Sequence, residues 1–211
     1  MKNLYTIILL TLLSLLMPSL AAAQSFQNVS IADASTVYSI AQDEQGIMWF
    51  GTDHGLYAYD GYRSIPHNTD ADGTPVITRV HSICIFKDML YMATERGLMA
   101  YDIRRGRYAE RTSGGMGEMR AVTIYGGRLW YGGAQGLFSR DLQTGTKRTE
   151  NSRLHNVYSL LPTRHGLLVG TLTGLTVLRN GKAQPIRIGE GSQPLVNALL
   201  GDGGLAWIGT E

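Results

Sequence analysis

The strongest constraint on this chain is that it repeats itself. Gly46-Ile-Met-Trp-Phe-Gly-Thr-Asp-His-Gly-Leu-Tyr-Ala-Tyr-Asp60 is echoed by Thr94-Glu-Arg-Gly-Leu-Met-Ala-Tyr-Asp102 and by Leu129-Trp-Tyr-Gly-Gly-Ala-Gln-Gly-Leu-Phe-Ser-Arg-Asp141. Leu168-Val-Gly-Thr-Leu-Thr-Gly-Leu175 repeats the middle of it, and Ala206-Trp-Ile-Gly-Thr-Glu211 its start. Aligned on Thr52, Thr94, Gly133, Thr171 and Thr210, the copies are spaced by 42, 39, 38 and 39 residues. Each copy reads as short strands joined by tight turns. A strand-based period near 40 residues is the signature of propeller blades, each a four-stranded antiparallel sheet. With 26 Gly, 11 Tyr and 17% charged residues in 211, the composition favours strands and turns over helices.

The expected fold is therefore all-β, with four complete blades and a half blade in an open ring. The expected blades span 37–78, 79–118, 119–156 and 157–195, with 196–211 beginning a fifth and 24–36 leading in. First strands open at Val37-Tyr-Ser39, Val80-His-Ser82, Met119-Arg-Ala121, Val157-Tyr-Ser159 and Val196-Asn-Ala198. Second strands carry Trp49, Tyr91, Trp130, Leu168 or Trp207, followed two residues on by Gly51, Ala93, Gly132, Gly170 or Gly209. Residues two apart share a strand face, so one face pairs a bulky wedge with a gap that lets a neighbouring sheet approach. Third strands open on Gly55-Leu56, Gly97-Leu98, Gly136-Leu137 and Gly174-Leu175. Asp60, Asp102 and Asp141 then start the turn into the fourth strand, and Arg179-Asn-Gly181 takes that place in blade four. Asp and Asn cap their own turns, so these carboxylates, and Asp43 ahead of Gly46 and Trp49, read as structural.

Residues 1–23 are of another kind. Lys2, the apolar run Leu4 to Met17, the break at Pro18-Ser19 and the small Ala21-Ala-Ala23 form the three-part pattern of a secretory signal peptide, with cleavage expected before Gln24. No second apolar run is long enough to span a bilayer, so the mature chain is expected to be soluble and exported. The single cysteine, Cys84, lies in the apolar run Ile83-Cys-Ile-Phe86 and reads as an inert strand thiol. A formal charge of +2 with no basic cluster gives no reason to expect nucleic acid.

The residues from Val37 to Gly61 resemble the two-component regulator propeller repeat, and the likeness extends from about residue 26 to the end. It is weaker in blade four, where Leu168 replaces the aromatic and Arg179 the Asp. The resemblance implies the N-terminal periplasmic sensor region of a hybrid two-component system. It also implies seven-bladed propellers, further domains including a kinase, and recognition of glycan fragments. This chain then reads as an N-terminal fragment with two open faces liable to associate. Its expected partners are an oligosaccharide, the remaining blades and downstream domains, and a second copy as a homodimer.

No catalytic motif, metal-ligand spacing or cofactor loop is present, so the chain is read as a non-enzyme with no cofactor. The candidate ligand contacts are the residues that vary within the fixed repeat. They are Asp53 and His54, Glu95 and Arg96, Gln135, and Thr173, all on the turns between second and third strands. The blade-to-blade segments His67-Asn-Thr-Asp70, Arg111-Thr112 and Asn151-Ser-Arg153 are expected on the same rim. Mixed polar groups of this kind suit a polyhydroxylated ligand. Trp49, Gly51, Gly55, Leu56, Gly97, Leu98, Trp130, Gly136, Leu137, Gly174, Leu175 and Trp207 are read as framework. The rival readings are a protein-docking scaffold and a polysaccharide-degrading propeller enzyme.

Overall fold

The computed structural model describes residues 28–31, 33–111, 117–151 and 154–211. The expected leader, the Phe26 lead-in, Thr112 and Ser152-Arg153 lie outside the described residues. Residues Ile31–Glu211 group as one unit, and its regular structure, among the described residues, is strand alone. The first sheet holds β1 (Val37–Gln42), β2 (Met48–Thr52), β3 (Gly55–Tyr59) and β4 (Ser64–Pro66). The second holds β5 (Val80–Phe86), β6 (Met89–Thr94), β7 (Gly97–Asp102) and β8 (Arg107–Arg111). The third holds β9 (Met119–Tyr125), β10 (Arg128–Gly133), β11 (Gly136–Asp141) and β12 (Lys147–Asn151). The fourth holds β13 (Val157–Thr163), β14 (Gly166–Thr171), β15 (Gly174–Arg179) and β16 (Lys182–Ile186). Two strands, β17 (Val196–Asp202) and β18 (Leu205–Thr210), follow. Each sheet is an antiparallel meander in sequence order. β1 lies against β5, β5 against β9, β9 against β13 and β13 against β17, so first strands form the inner edge of the array. These are propeller blades, four complete and one of two strands, in a ring that is not closed.

Turn chemistry explains the meander. The first hairpins close on Lys87-Asp88 and Gly126-Gly127, where Lys87 and both glycines have positive φ as such two-residue turns require. Asp43 closes the longer first turn of blade one. Its Oδ1 accepts from Gln45 N (3.0 Å) and Ile47 N (2.9 Å), and its Oδ2 from Trp49 Nε1 (2.8 Å). Asp60 and Asp141 each accept two backbone N–H bonds inside their own turns, and Asp102 accepts from the Arg105 N–H and the Arg105 guanidinium. At the β2–β3 turn, Thr52 Oγ1 donates to Gly55 O (2.9 Å) and accepts from His54 N (3.1 Å). Thr94 and Thr171 repeat this pattern. Gly55, Gly97, Gly136 and Gly174 close these turns with φ of 119°, 114°, 132° and 121°, which side-chain-bearing residues rarely adopt.

The period is also a packing device. Each small residue of a second strand receives the first residue of the next blade. A Cβ added at Gly51 would lie 2.8 Å from Val80 Cγ1, one at Gly132 2.8 Å from Val157 Cβ, and one at Gly170 2.7 Å from Val196 Cγ1. The four apolar cores are these junctions. Trp49 meets Val80 and Ile83; Tyr91 and Ala93 meet Met119 and Val122. Trp130 meets Val157, with Leu160 packed alongside; Leu168 meets Val196, with Leu199 alongside. Burying one such side chain is worth roughly 1.5–3 kcal/mol, so each junction gains several times that. The outer part of the second junction adds an ion pair between Arg140 and Glu110. Cys84 packs against the second core, and burial pushes its thiol up to about 12. Among the described residues, no helix is long and apolar enough to cross a membrane.

Candidate functional site

Strict alternation breaks at one place in every first strand. Val37 pairs with Thr52 and Ser39 with Gly51, so Tyr38 is skipped. The same β-bulge skips His81, Arg120, Tyr158 and Asn197 in β5, β9, β13 and β17. A bulge sets two residues against one and re-aims the extra side chain. Because the first strands neighbour one another, the five skipped residues form a row along the inner edge of the array.

That row is chemically continuous from Tyr38 to Tyr158. The Tyr38 and His81 ring centroids are 5.6 Å apart, and the Arg79 guanidinium lies 5.9 Å from the Tyr38 ring. His81 Nε2 is 3.0 Å from Glu118 Oε1. Arg120 donates to Glu118 Oε2 at 3.0 Å, and its guanidinium sits 4.6 Å above the Tyr158 ring. The Arg120 hydrogen bond holds the Glu118 carboxyl below its ordinary value. Burial pulls the His81 imidazole below its ordinary value, opposed by the Glu118 charge. Behind the row, Ser82 Oγ accepts from Val122 N (3.4 Å) and Ser159 Oγ donates to Val196 O (3.5 Å), tying successive first strands together. Tyr faces offer flat apolar surface with a polar rim, and Arg, His and Glu add fixed donors and acceptors.

The turn residues expected from the sequence flank this row at the same end of the blades. The N–H groups of Asp53, Glu95 and Leu172 bond the carbonyls of Thr36, Arg79 and Asn156, each just ahead of a first strand. The structure gives Asp53 a structural task. Its carboxylate accepts from Ser35 Oγ, Ser35 N (3.1 Å) and Thr36 N (3.2 Å), which holds it far below the usual carboxylate range. His54 is exposed, with Nδ1 3.5 Å from Asp53 Oδ2. Glu95, Arg96, Gln135 and Thr173 are exposed on their own turns. Thr173 lines a cleft of about 520 Å³ with Thr171, Arg187 and Gln193. A larger cleft of about 610 Å³ at the other end of blades four and five, lined by Leu161, His165, Val177 and Leu205, is junction surface.

One expectation is corrected. His67 is not a rim residue. It packs between blades one and two, with Nδ1 2.6 Å from Tyr101 Oη and its ring 5.0 Å from that of Trp49. Tyr108 Oη donates to its carbonyl at 2.7 Å. Asn68, beside it, is also structural, since its Oδ1 accepts from Leu56 N at 2.9 Å. Among the described residues, no three His, Cys, Asp or Glu side chains group as a metal site would need. Sequence reasoning missed Tyr38, Arg79, His81, Glu118, Arg120, Tyr158 and Asn197. The second residue of each first strand varies from blade to blade, but that variation alone did not mark the bulge that sets it on the inner edge.

Blade architecture and repeat together define a β-propeller arc. Residues 32–54 match the family described as two component regulator propeller. Among solved structures, the chain is similar to the extracellular domain of the putative hybrid two component system BT4673 from B. thetaiotaomicron. Identity there is 32% and the TM-score 0.77, over 89% of this chain and 27% of that one. It is also similar to the extracellular domain of the putative hybrid two component system BT3049 of the same organism, at 22% identity and TM-score 0.72 over 87% and 29%. The computationally designed protein Ika8 shares the fold at 18% identity and TM-score 0.63, over 86% and 58%. The chain thus spans about a quarter of the length of the extracellular domains it matches. No curated protein sequence matches it. Residues 32–54 thus match the two component regulator propeller family, and the chain as a whole shares the propeller fold of these extracellular domains.

Proposed function

We propose that this chain is part of an exported sensor propeller that binds an extracellular oligosaccharide without turning it over. Its signal would pass to a kinase in a longer two-component protein. The carrying observation is the row Tyr38–His81–Arg120–Tyr158, in which the same bulge in successive blades presents aromatic and cationic groups side by side, with the Glu118 carboxylate set between His81 and Arg120. Aromatic faces can stack on the apolar face of a sugar ring, and the Arg120 and Glu118 groups suit its hydroxyls. His54, Glu95, Arg96, Gln135 and Thr173 would form the outer contacts, and export to the periplasm would follow from the leader at residues 1–23.

Calorimetric titration of the chain against a panel of oligosaccharides tests this reading. Saturable binding is expected with at least one glycan, recovered unshortened. Tyr158→Ala and Arg120→Ala should each weaken it at least about tenfold, the scale of an interface anchor. No binding across the panel, or binding indifferent to both substitutions, overturns the assignment of this face. Shortened sugars would establish the enzyme reading instead.

A further inference from the structure

The repeat departs from itself at the end of β10, and the departure lies beside the inner row. Thr52, Thr94, Thr171 and Thr210 end the second strand in four blades, and Gly133 takes their place in the third. Thr52, Thr94 and Thr171 each brace the following turn through Oγ1, and glycine has no hydroxyl to do so. The φ of Gly133 lies outside the left-handed region, so its backbone conformation does not call for glycine. Space does. A Cβ there would run into Glu118 O and lie 3.0 Å from Met119 Cα, and both are main-chain atoms. Gly117, directly ahead of Glu118, turns with a φ of 61°, and a Cβ on it would lie 3.1 Å from Gln135 Nε2. The two glycines let the main chain at Glu118 sit against the end of β10.

From that place Glu118 reaches across the junction of blades two and three. Its Oε1 is 3.0 Å from His81 Nε2 in blade two, and its Oε2 accepts from Arg120 Nη2 at 3.0 Å. Arg120 in turn lies 4.6 Å from the centre of the Tyr158 ring. The residues that stand where Glu118 does in the other blades, Thr36, Arg79, Asn156 and Leu195, carry no carboxylate. The glycine and the acid therefore occur together, in blade three. A carboxylate with one oxygen on each neighbour orders two polar side chains before a ligand arrives, which removes an ordering cost from binding. The groups around His81 are Arg79 just ahead of β5, Glu95 on the β6–β7 turn, Glu118 and Arg120, with the Tyr38 ring beside it. Without Glu118, the imidazole would face two guanidiniums with Glu95 as the remaining carboxylate.

We propose that Glu118 is the positioning residue of this row, holding Arg120 over Tyr158 and His81 beside it, and that Gly133 stands in the threonine position of the repeat to admit it. The inference rests on reading the row as the ligand face, but its first readout needs no ligand.

NMR titration of the histidine ring protons in the full chain, with His81 assigned through His81→Gln, reads the contact directly. Glu118→Gln keeps the size and removes the charge, and should lower the His81 midpoint by at least about half a pH unit. Gly133→Thr restores the residue of the repeat and should lower that midpoint too, because the main chain at Glu118 must withdraw. In the double variant the two effects should overlap rather than add. Should Gly133→Thr not fold, Gly133→Ala, which adds only the Cβ, replaces it. With a glycan that saturates wild type, Glu118→Gln and Gly133→Thr should each weaken binding at least about tenfold. An unmoved His81 midpoint in Glu118→Gln, or glycan binding indifferent to that change, overturns the role of Glu118. An unmoved midpoint in the Gly133 variant overturns the role of Gly133. If no glycan binds wild type, the reading of the face falls, and the midpoint still decides whether Glu118 holds His81.

Discussion

Val157 and Tyr158 are neighbours in sequence and belong to different regimes. Val157 is fully buried in the joint with blade three, while Tyr158, skipped by the bulge, faces the Arg120 guanidinium at the inner edge. The same split runs through every blade. The opening position of the first strand reads Val, Val, Met, Val, Val, and the bulged position Tyr, His, Arg, Tyr, Asn. The joint must fit a gap shaped by a glycine or alanine, so it admits only apolar residues of middling size. The bulged residue has no such partner, so its chemistry is free to change. A one-residue bulge therefore separates what holds the blades together from what they present.

The largest expected effect comes from breaking the first side of this pair. Val157→Asp would bury an uncompensated carboxylate against Trp130 and Gly132, at a cost above about 3 kcal/mol. Tyr158→Ser, one residue away, should stay within about 1 kcal/mol of wild type. Urea unfolding of both variants checks this, and equal losses would show that the bulged row also carries the fold. A middle-sized effect is expected at Asp43, whose carboxylate accepts from Gln45 N, Ile47 N and Trp49 Nε1. Asp43→Ala leaves the half-buried indole N–H and a turn amide without that partner and should cost about 1–3 kcal/mol. Sugar binding should be unchanged, because Asp43 lies at the end of the blade away from the bulges. A loss of binding without loss of stability would place the recognition face at that end.

These contrasts explain what was legible in the sequence. The period, the blades and the wedge-and-gap face could be read because Trp49 and Gly51, or Trp130 and Gly132, recur at fixed spacing and packing permits few replacements. The turn pairs could be read as variable points in a constant frame. The bulged row could not, because alternation assigns Tyr38 and His81 to a face by parity, and a bulge resets parity by one residue. Arg79 and Glu118 stand just ahead of first strands, in segments without a repeat. Asp53 was legible as a polar turn residue, but its engagement depends on Ser35 and Thr36, 18 and 17 residues away. His67 sits in a linker, and its burial depends on Tyr101 in the next blade.

The smallest expected effect separates joint from face by pH. His67 lies in the joint and His81 on the face, and burial lowers the pKa of both from 6.5. A histidine whose folded-state pKa lies below its unfolded one contributes stability that is complete above about 6.5. That contribution is lost as pH falls through the unfolded value toward the folded one, because the unfolded chain then binds more protons. For His67 the cause is burial beside Trp49 and Tyr101 alone. For His81 the Glu118 charge works against burial, while Arg79 and Arg120 work with it. The urea midpoint should therefore fall between about pH 7.5 and pH 5.5, by on the order of 1 kcal/mol or less for each histidine. His67→Gln should remove more of that fall than His81→Gln. If His81→Gln removes the larger part, the Glu118 contact is too weak to offset burial and the face is drier than its exposed Tyr38 indicates; if stability rises on acidification, both histidines are held as cations.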